Sequence, residues 1–232
     1  MTYILEIMKA KNSGKNRVTE HQGVIGIDEV GRGPLAGPVT VCAIYLENPK
    51  QIKKEIFSIN KKTTSKVRYI IRDSKKLTKI NRNKIFQTIK KYRLSNDKIK
   101  YAIFSSSARK IDKVGITHAI KVCLARCVKK LEAKGVDISS IKINLDAGLI
   151  IPILGLNQKS FVRGDEKFAE IALASIIAKE TRDSYMRNLA KNYKEYDWIN
   201  NVGYGTRNHL KAIKKYGVTK YHRRTFLKNI LR

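Results

Sequence analysis

The chain has little negative charge, few cysteines and no long apolar run, and each shortage excludes a class of protein. Its 232 residues include only 19 Asp and Glu against 49 Lys and Arg. Three cysteines without a CxxC pair do not make a disulfide framework, and four histidines show no HExxH-type spacing. The absence of any run of about 18 uncharged apolar residues excludes a membrane span. The short, interrupted apolar patch at the N-terminus does not fit a secretory signal. The sparse, unpaired cysteines suit a reducing setting, so we expect a cytoplasmic protein.

What the chain does have is enough apolar material for a core and a large positive charge. Hydrophobic residues make up 42% of the sequence, which favours a globular fold over a disordered polycation. The formal net charge of +30 predicts a polyanionic partner, and nucleic acid is the first candidate. The alternative is that many lysines only keep the protein soluble. Cys123 and Cys127, four apart on one predicted helix face, are interpreted as buried structural thiols rather than metal ligands.

Strands and helices alternate along the chain, which predicts an α/β layer fold in one continuous domain. Residues 1–20 form a basic extension, residues 21–195 the core, and residues 196–232 a helical C-terminal segment. Predicted strands cover 23–30, 39–46, 98–107 and 141–148. Four helices are predicted. The first starts after Thr78 and has an apolar stripe of Ile80, Ile85, Phe86 and Ile89, and the second covers 117–135, between a Thr117 cap and Gly135. The third covers 165–193, and the fourth runs from a Thr206 cap to Gly217.

The scarce carboxylates lie at positions that suit a metal site. Asp28 and Glu29 close the first predicted strand directly before a glycine loop, and Asp146 closes the strand INLDAG. Asp183 lies on the long helix, on a largely apolar face. Four converging carboxylates repel one another unless cations fill the space between them. Oxygen ligands without thiol or imidazole favour Mg²⁺ or Mn²⁺, and two such ions can clamp a phosphodiester.

Each acid also has a purely structural interpretation. Asp28 and Glu29 can cap a turn, Asp146 can form a turn, and Asp183 can pair with Lys179 one helical turn away. Adjacent strand residues point to opposite faces. Asp28 and Glu29 therefore serve one cluster only if the strand frays or Glu29 contributes its backbone carbonyl.

The loop Gly31-Arg32-Gly33 follows these acids. Glycines allow a ligand to approach the backbone closely, and backbone amides can contact a ribose 2′-hydroxyl or a phosphate. Arg32 can add a phosphate contact. The spacing matches neither a Walker loop nor a dinucleotide fingerprint. A tight hairpin turn that needs glycine is the structural alternative.

Taken together, the motifs resemble those of ribonuclease HII. The opening block GIDEVGRGPLAGPV is similar to the family signature almost throughout. The similarity continues in the family's order over nearly all of the chain after residue 20. The further blocks are DSKKLT, LDAG, GDEKFAEIALASIIAKETRDSYM, GYGTRNHLKAIKKYG and HRRTF. The resemblance implies an RNase H-like core, a mixed sheet flanked by helices, with a helical C-terminal portion.

The resemblance also implies an activity and its residues. The expected enzyme is a monomeric endonuclease that cuts RNA in RNA–DNA hybrids and nicks 5′ of ribonucleotides in duplex DNA, leaving 3′-hydroxyl and 5′-phosphate ends. Two Mg²⁺ or Mn²⁺ ions would assist it. The family's four acids match Asp28, Glu29, Asp146 and Asp183, and its Gly-Arg-Gly element, which contacts the 2′-hydroxyl, matches Gly31, Arg32 and Gly33.

Further substrate contacts are carried over from the same resemblance. Ser74 and Lys75 are expected beside the scissile backbone. A tyrosine is expected to stack on the deoxyribose after the ribonucleotide; Tyr216 is the first choice and Tyr204 the alternative. Many members of the family carry Gly-Asn where this chain has Ala147-Gly148, so local substrate contacts there can differ.

Two other functions stay open at this level. A basic nucleic-acid-binding module without chemistry accounts for the charge, but not for acids concentrated beside a glycine loop. A nuclease of the same fold with another substrate, such as a junction-resolving or integrase-like enzyme, accounts for both. A cleavage assay with and without EDTA distinguishes an enzyme from the binding module. Comparison of an all-DNA duplex with one that carries a single ribonucleotide distinguishes the nucleases.

Overall fold

A five-stranded mixed sheet forms the centre of the molecule. The computed structural model describes residues 23–58, 77–94, 97–228 and 230. Within them the strand order is β3-β2-β1-β4-β5. The strands are β1 (Val24–Val30), β2 (Val39–Leu46), β3 (Ile99–Ser106), β4 (Lys142–Asp146) and β5 (Gln158–Phe161).

The hairpin of β1 and β2 confirms the first two predicted strands. They pair antiparallel, from Val24 opposite Leu46 to Val30 opposite Thr40. On the other side β1 pairs parallel with β4, but only as far as Ile27 opposite Leu145. The last three residues of β1 therefore have a neighbouring strand on one side only. The fifth strand was not predicted, because its sequence QKSF is short and half exposed.

Helices cover both faces of the sheet. They are α1 (Pro49–Ser58), α2 (Lys79–Leu94), α3 (Ala108–Val114), α4 (Ile116–Glu132), α5 (Gly164–Lys167), α6 (Ala169–Ala190), α7 (Trp198–Asn201), α8 (Arg207–Tyr216) and α9 (Arg224–Leu227), with a 3₁₀ turn at Lys194–Tyr196. Alternate strand residues feed two cores. Ile25 and Ile27 pack with α4, whereas Ile44 and Leu46 pack with α1, α2 and α6. This alternation is the period of two that β-strands impose.

Several predicted details were wrong, and each has a local cause. The helix expected at 117–135 starts at Ile116 with Gly115 as its N-cap, so Thr117 is not the cap; it ends at Glu132. Ile80 is 69% exposed rather than part of the apolar stripe. The helix expected at 165–193 is divided, because Phe168 takes an extended conformation between α5 and α6.

Other predictions were confirmed. Ile85, Phe86 and Ile89 are buried. Thr206 caps α8 by accepting a hydrogen bond from the His209 amide, and the helix stops at Gly217. All three cysteines are buried free thiols.

Gly26, in the middle of β1, lets α6 lie directly on the sheet. A Cβ atom at this position would stand 2.2 Å from the backbone carbon of Glu170. The Glu170 side chain is buried there and accepts a 2.7 Å hydrogen bond from the amide of Asn144 on β4. The absent side chain thus sets the distance between sheet and helix.

The C-terminal residues pack on the β1–β2 connection. Ala36 forms a backbone bridge with His222, and the Gly37 amide donates to the Tyr221 carbonyl at 2.9 Å. Leu35 and Ala36 share an apolar cluster with Trp198 and Met186. The boundaries predicted at residues 20 and 195 stay predictions, and residues 1–20 with Ser74 and Lys75 lie outside the described residues. Over the part of the chain that the structure describes, no helix has the length and apolarity of a membrane span.

A buried hydrogen-bond chain in this cluster fixes the protonation of two histidines. Trp198 Nε1 can only donate, so His209 Nε2 accepts at 3.0 Å and His209 Nδ1 donates to the Tyr204 carbonyl. His222 Nδ1 accepts from the Thr219 amide, which leaves its Nε2–H to donate to His209 Nε2 at 3.1 Å. Both rings are therefore neutral.

This network predicts a loss of stability in acid. Burial lowers the pKa of His209, and burial with the neighbouring His209 lowers the pKa of His222 from 6.5 to about 4. At these two histidines the unfolded chain therefore binds more protons than the folded one below about pH 6.5. The contribution of His222 to the free energy of unfolding should stay level above about pH 7 and fall by roughly 2 kcal/mol by pH 5, whereas the raised pKa values of Asp28 and Glu29 act in the opposite direction in parent and variant alike. Urea unfolding at a series of pH values measures this slope.

Two variants identify the source of the slope. His222→Asn should lower stability at pH 7 but flatten the pH dependence between about pH 6.5 and 4. His118→Asn, at an exposed histidine, should change neither. An unaltered slope in His222→Asn would contradict this interpretation.

Candidate functional site

An acidic cavity opens where β4 stops pairing with β1. Its volume is about 450 Å³. It combines strand-end acids, the glycine loop and one face of α6. The lining residues are Asp28, Glu29, Val30, Gly31, Arg32, Gly33, Arg82, Asp146, Ser175, Ile176, Lys179 and Tyr204.

Asp28 lies at the bottom of this cavity, on the α6 side of β1. Its carboxylate accepts a hydrogen bond from the Ser175 side chain and a 2.7 Å bond from the Glu29 amide. Burial raises the pKa of Asp28 well above its usual range, and the charges of Glu29 and Asp146 raise it further. The ionised form is therefore disfavoured unless a positive charge comes close.

Glu29 reaches the same cavity although it points to the opposite face of the strand. Pairing with β4 ends before this residue, so the open side of β1 leaves room for its side chain at the C-terminal end of the strand. Strand pairing with Val41 continues on the other side, so the strand opens without fraying fully. Burial raises the pKa of Glu29, and a 2.5 Å ion pair with Arg32 opposes the shift. Its Oε2 atom is buried without a hydrogen-bond partner.

Asp146 ends β4 at the rim of the cavity. Its Oδ1 atom accepts a 2.8 Å hydrogen bond from the Gly164 amide, at the start of α5. Its charge raises the pKa of both Asp28 and Glu29, so the three carboxylates are near enough to repel one another. Of the four acids predicted from the sequence, the structure brings these three to one cavity.

Asp183 is buried but is not among the residues that line the cavity. Its carboxylate pairs with Lys179 at 2.9 Å, the structural alternative considered for it, and with Arg82 at 3.4 Å. Arg82 also binds the buried Glu180 at 2.7 Å, which fastens α2 to α6. Both of these cations line the cavity, so the Asp183 carboxylate adjoins it through them.

Asp165 is an acid that the sequence reasoning missed. It is 1% exposed and directly follows Gly164, whose amide binds Asp146. The sequence did carry a signal, since GDEKF places an acid at the start of a predicted helix, but the continuous helix expected there hid its special position. The break at Phe168 puts Asp165 on a separate short turn beside β4.

The acids suit a divalent cation in their chemistry. As the side chains stand, no three His, Cys, Asp or Glu residues in the described ranges are grouped to hold a metal. Arg32, Lys179 and Arg82 instead engage carboxylate oxygens. The partnerless Glu29 oxygen and the raised pKa values of Asp28 and Glu29 indicate a deficit of positive charge. An all-oxygen donor set of this kind favours Mg²⁺ or Mn²⁺.

The glycine loop and one of the two candidate tyrosines border the acids. Gly31, Arg32 and Gly33 line the cavity, as does Tyr204, which is 42% exposed. Tyr216 lies at the end of α8 beneath the Lys215 ammonium and is not among the lining residues. The placement therefore favours Tyr204.

The sequence and the fold of this chain are both similar to those of known proteins. The chain matches the family model described as Ribonuclease HII over residues 25–229. It is 38% identical over 201 residues to Ribonuclease HII of Pelagibacter ubique (strain HTCC1062), a match that covers 87% of this chain and 94% of the relative.

Two solved structures share the fold. The structure of the PCNA:RNase HII complex from Archaeoglobus fulgidus gives a TM-score of 0.64 at 20% identity, covering 88% of this chain and 93% of that one. Bst-RNase HIII in complex with Mn²⁺ gives 0.67 at 16% identity, covering 100% of this chain and 80% of that one. The predicted RNase H-like fold, a mixed sheet flanked by helices, is confirmed.

Repulsion between the carboxylates at the cavity predicts that removing one of them stabilises the fold but weakens ion binding. Asp28→Asn removes one buried charge while keeping shape, so it should raise the free energy of unfolding in EDTA by about 1 kcal/mol. Added Mg²⁺ should raise the unfolding temperature of the parent chain more than that of the variant. Thermal unfolding with and without Mg²⁺ measures both effects.

Asp97→Asn, at an exposed acid, is the matched control and should behave like the parent chain. A destabilised Asp28→Asn that responds fully to Mg²⁺ would show that Asp28 neither repels its neighbours nor binds the ion.

Proposed function

This chain belongs to the ribonuclease HII family and is therefore a ribonuclease H, and we propose that it nicks duplex DNA on the 5′ side of embedded ribonucleotides, leaving 3′-hydroxyl and 5′-phosphate ends. The observation that carries the proposal is the meeting of Asp28, Glu29 and Asp146 with the Gly31–Gly33 loop at one cavity. Carboxylates can hold the ions that phosphodiester hydrolysis requires, and an exposed backbone can contact a 2′-hydroxyl.

The ions are proposed to be two Mg²⁺ or Mn²⁺ held by Asp28, Glu29 and Asp146 with a fourth acid. Bound there, they would supply Lewis-acid activation of water and neutralise charge on the phosphate. The Mn²⁺ complex of Bst-RNase HIII supports a divalent ion in this fold. For the fourth place we propose Asp183, because its carboxylate contacts Lys179 and Arg82, two cations that line the cavity.

The chain's own residues would bind and orient the substrate around this centre. Ser175 holds the Asp28 carboxylate in place, and Lys179 and Arg32 present positive charge at the cavity. These cations suit the non-bridging oxygens of a bound phosphate. The wider basic surface, which follows from a net charge of +30, would hold the duplex without reading its bases.

Discrimination between RNA and DNA is proposed to come from the loop and from Tyr204. Backbone groups of Gly31, Arg32 and Gly33 would contact the 2′-hydroxyl, and the Tyr204 ring would stack on the following deoxyribose. Tyr204 borders Gly33, since a Cβ atom at Gly33 would lie 4.0 Å from the tyrosine ring. A strict need for a 2′-hydroxyl with little base preference follows. The cytoplasmic location and monomeric state stay predictions.

Amide replacements of the acids test the proposal. Asp28→Asn, Glu29→Gln, Asp146→Asn and Asp183→Asn should each lower cleavage at least about 100-fold, because each removes charge from the ion site. Asp165→Asn should lower it by a smaller factor. The assay is nicking of a duplex with one ribonucleotide, titrated with Mg²⁺ and with Mn²⁺, and Asp146→Asn should still bind that duplex.

Three controls accompany this assay. EDTA should stop cleavage, an all-DNA duplex of the same sequence should stay intact, and Asp97→Asn should cut normally. Cleavage of the all-DNA duplex would refute ribonucleotide specificity. Parent-level turnover in Asp146→Asn would remove that acid from the mechanism, and a larger loss in Asp165→Asn than in Asp183→Asn would reverse the assignment of the fourth acid.

A tyrosine comparison tests the junction contact. Tyr204→Ala should lower cleavage at a single embedded ribonucleotide about tenfold more than cleavage of a long RNA–DNA hybrid, because only the first substrate presents the RNA-to-DNA junction. Tyr216→Ala, at an exposed tyrosine away from the cavity, should affect the two substrates equally. The opposite pattern would return the role to Tyr216.

A further inference from the structure

Two arginine side chains are fully buried beneath the Gly31–Pro38 loop. Arg182 donates from Nε to the Pro38 carbonyl at 2.8 Å and from its terminal nitrogens to Ala36 and Val202 at 3.1 and 3.0 Å. Arg223 donates to the carbonyls of Gly37, Arg32 and Gly31 at 3.0, 2.8 and 2.7 Å. Both residues are 0% exposed.

These guanidinium groups have no acid partner among the described residues. None of the salt bridges found there includes Arg182 or Arg223. Burial lowers the pKa of both, and the charge of Arg182 helps lower that of Arg223 to about 10, so both stay charged at neutral pH. Buried charges without a salt bridge are costly, and here six backbone carbonyls accept their hydrogen bonds, while Asp183 and Asp112 act on them only from beyond salt-bridge distance. An arrangement this costly calls for a role besides filling space.

Because peptide bonds are planar, the hydrogen bonds from Arg223 to the loop carbonyls also determine where the loop N–H groups point. In a trans peptide the carbonyl of one residue and the N–H of the next point in opposite directions. The carbonyls of Gly31 and Arg32 both point inward to Arg223. The N–H groups of Arg32 and Gly33 must therefore point away from the interior, on the side where these two exposed residues line the cavity.

The glycines of the loop differ in a way that supports this orientation. Gly31 has a φ of +91°, and a Cβ atom there would stand 2.4 Å from Arg182 Nε, so the protein interior itself requires glycine. At Gly33 a Cβ atom would meet nothing closer than Tyr204 at 4.0 Å. The protein interior therefore does not require glycine at position 33, where the backbone is open toward the cavity.

We propose that Arg223, supported by Arg182, is a positioning residue that turns the Arg32 and Gly33 amides toward the ribose 2′-hydroxyl and so sets the preference for ribonucleotides. This inference rests on the proposed function and assigns its selectivity to two side chains that do not touch the substrate. Lysine at either position keeps the charge but cannot reach three carbonyls at once.

The test separates recognition of the 2′-hydroxyl from general binding. In Mg²⁺, steady-state cleavage of a single-ribonucleotide duplex gives KM and kcat, and inhibition by the all-DNA duplex of the same sequence gives Ki. Arg223→Lys should raise KM about tenfold, the cost of a lost hydrogen bond, while Ki stays within about twofold. Arg224→Lys, at the adjacent exposed arginine, is the matched control and should match the parent chain.

A merely structural role predicts another pattern. Partial unfolding lowers the amount of active enzyme, which reduces apparent kcat and leaves KM unchanged. Unchanged KM in Arg223→Lys and Arg182→Lys would therefore overturn the proposal, as would failure of both variants to fold.

Gly33→Ala keeps the proposal testable without disturbing the interior. It should unfold at the parent temperature, because the added methyl group has open space, yet raise KM like Arg223→Lys. An unchanged KM there would show that the amide face is not used. If the parent chain does not cut the single-ribonucleotide duplex, the proposed function fails; if it cuts and the variants keep its KM, only this inference fails.

Discussion

Repulsion among buried and half-buried carboxylates is the constraint around which this molecule is arranged. Asp28, Glu29 and Asp146 lie at the C-terminal ends of the two neighbouring strands β1 and β4, where β4 stops pairing with β1. The fold tolerates them by giving each oxygen-rich group a nearby donor: Ser175 for Asp28, Arg32 for Glu29 and the Gly164 amide for Asp146. The compensation is incomplete, as the raised pKa values show, and this shortage of positive charge makes the cavity receptive to metal ions.

The basic interior on the other side of the loop complements this acidic cavity. Arg182 and Arg223 donate hydrogen bonds to carbonyl groups of the loop, so these carbonyl oxygens face the core and the N–H groups of Arg32 and Gly33 face outward. Arg223 comes from the C-terminal segment, which also bridges Ala36 through His222. The shape of a loop near the start of the chain thus depends on residues near its end. This long-range dependence is consistent with one continuous domain rather than a separable C-terminal unit.

The sequence predicted those features that local patterns encode. Alternating apolar residues and the Thr206 and Gly217 signals predicted the hairpin and α8, and acids at strand ends predicted Asp28, Glu29 and Asp146. It did not predict the break at Phe168, because the residues on both sides favour helix and only the packing of α5 beside β4 imposes the extended conformation. Asp165 was missed for that reason. The buried arginines were missed too, because their partners are carbonyls, which are present at every position of a sequence.

Gly26 shows how a residue without a side chain can govern chemistry at a distance. The close approach that it permits brings α6 down onto β1, and α6 carries Ser175 and Lys179. Any larger residue would push the helix outward and withdraw the Ser175 hydroxyl from Asp28, although position 26 itself lines no part of the cavity. Redesign of this fold for other phosphodiesters can therefore vary the residues at the mouth of the cavity, but the distance between β1 and α6 has to stay as it is.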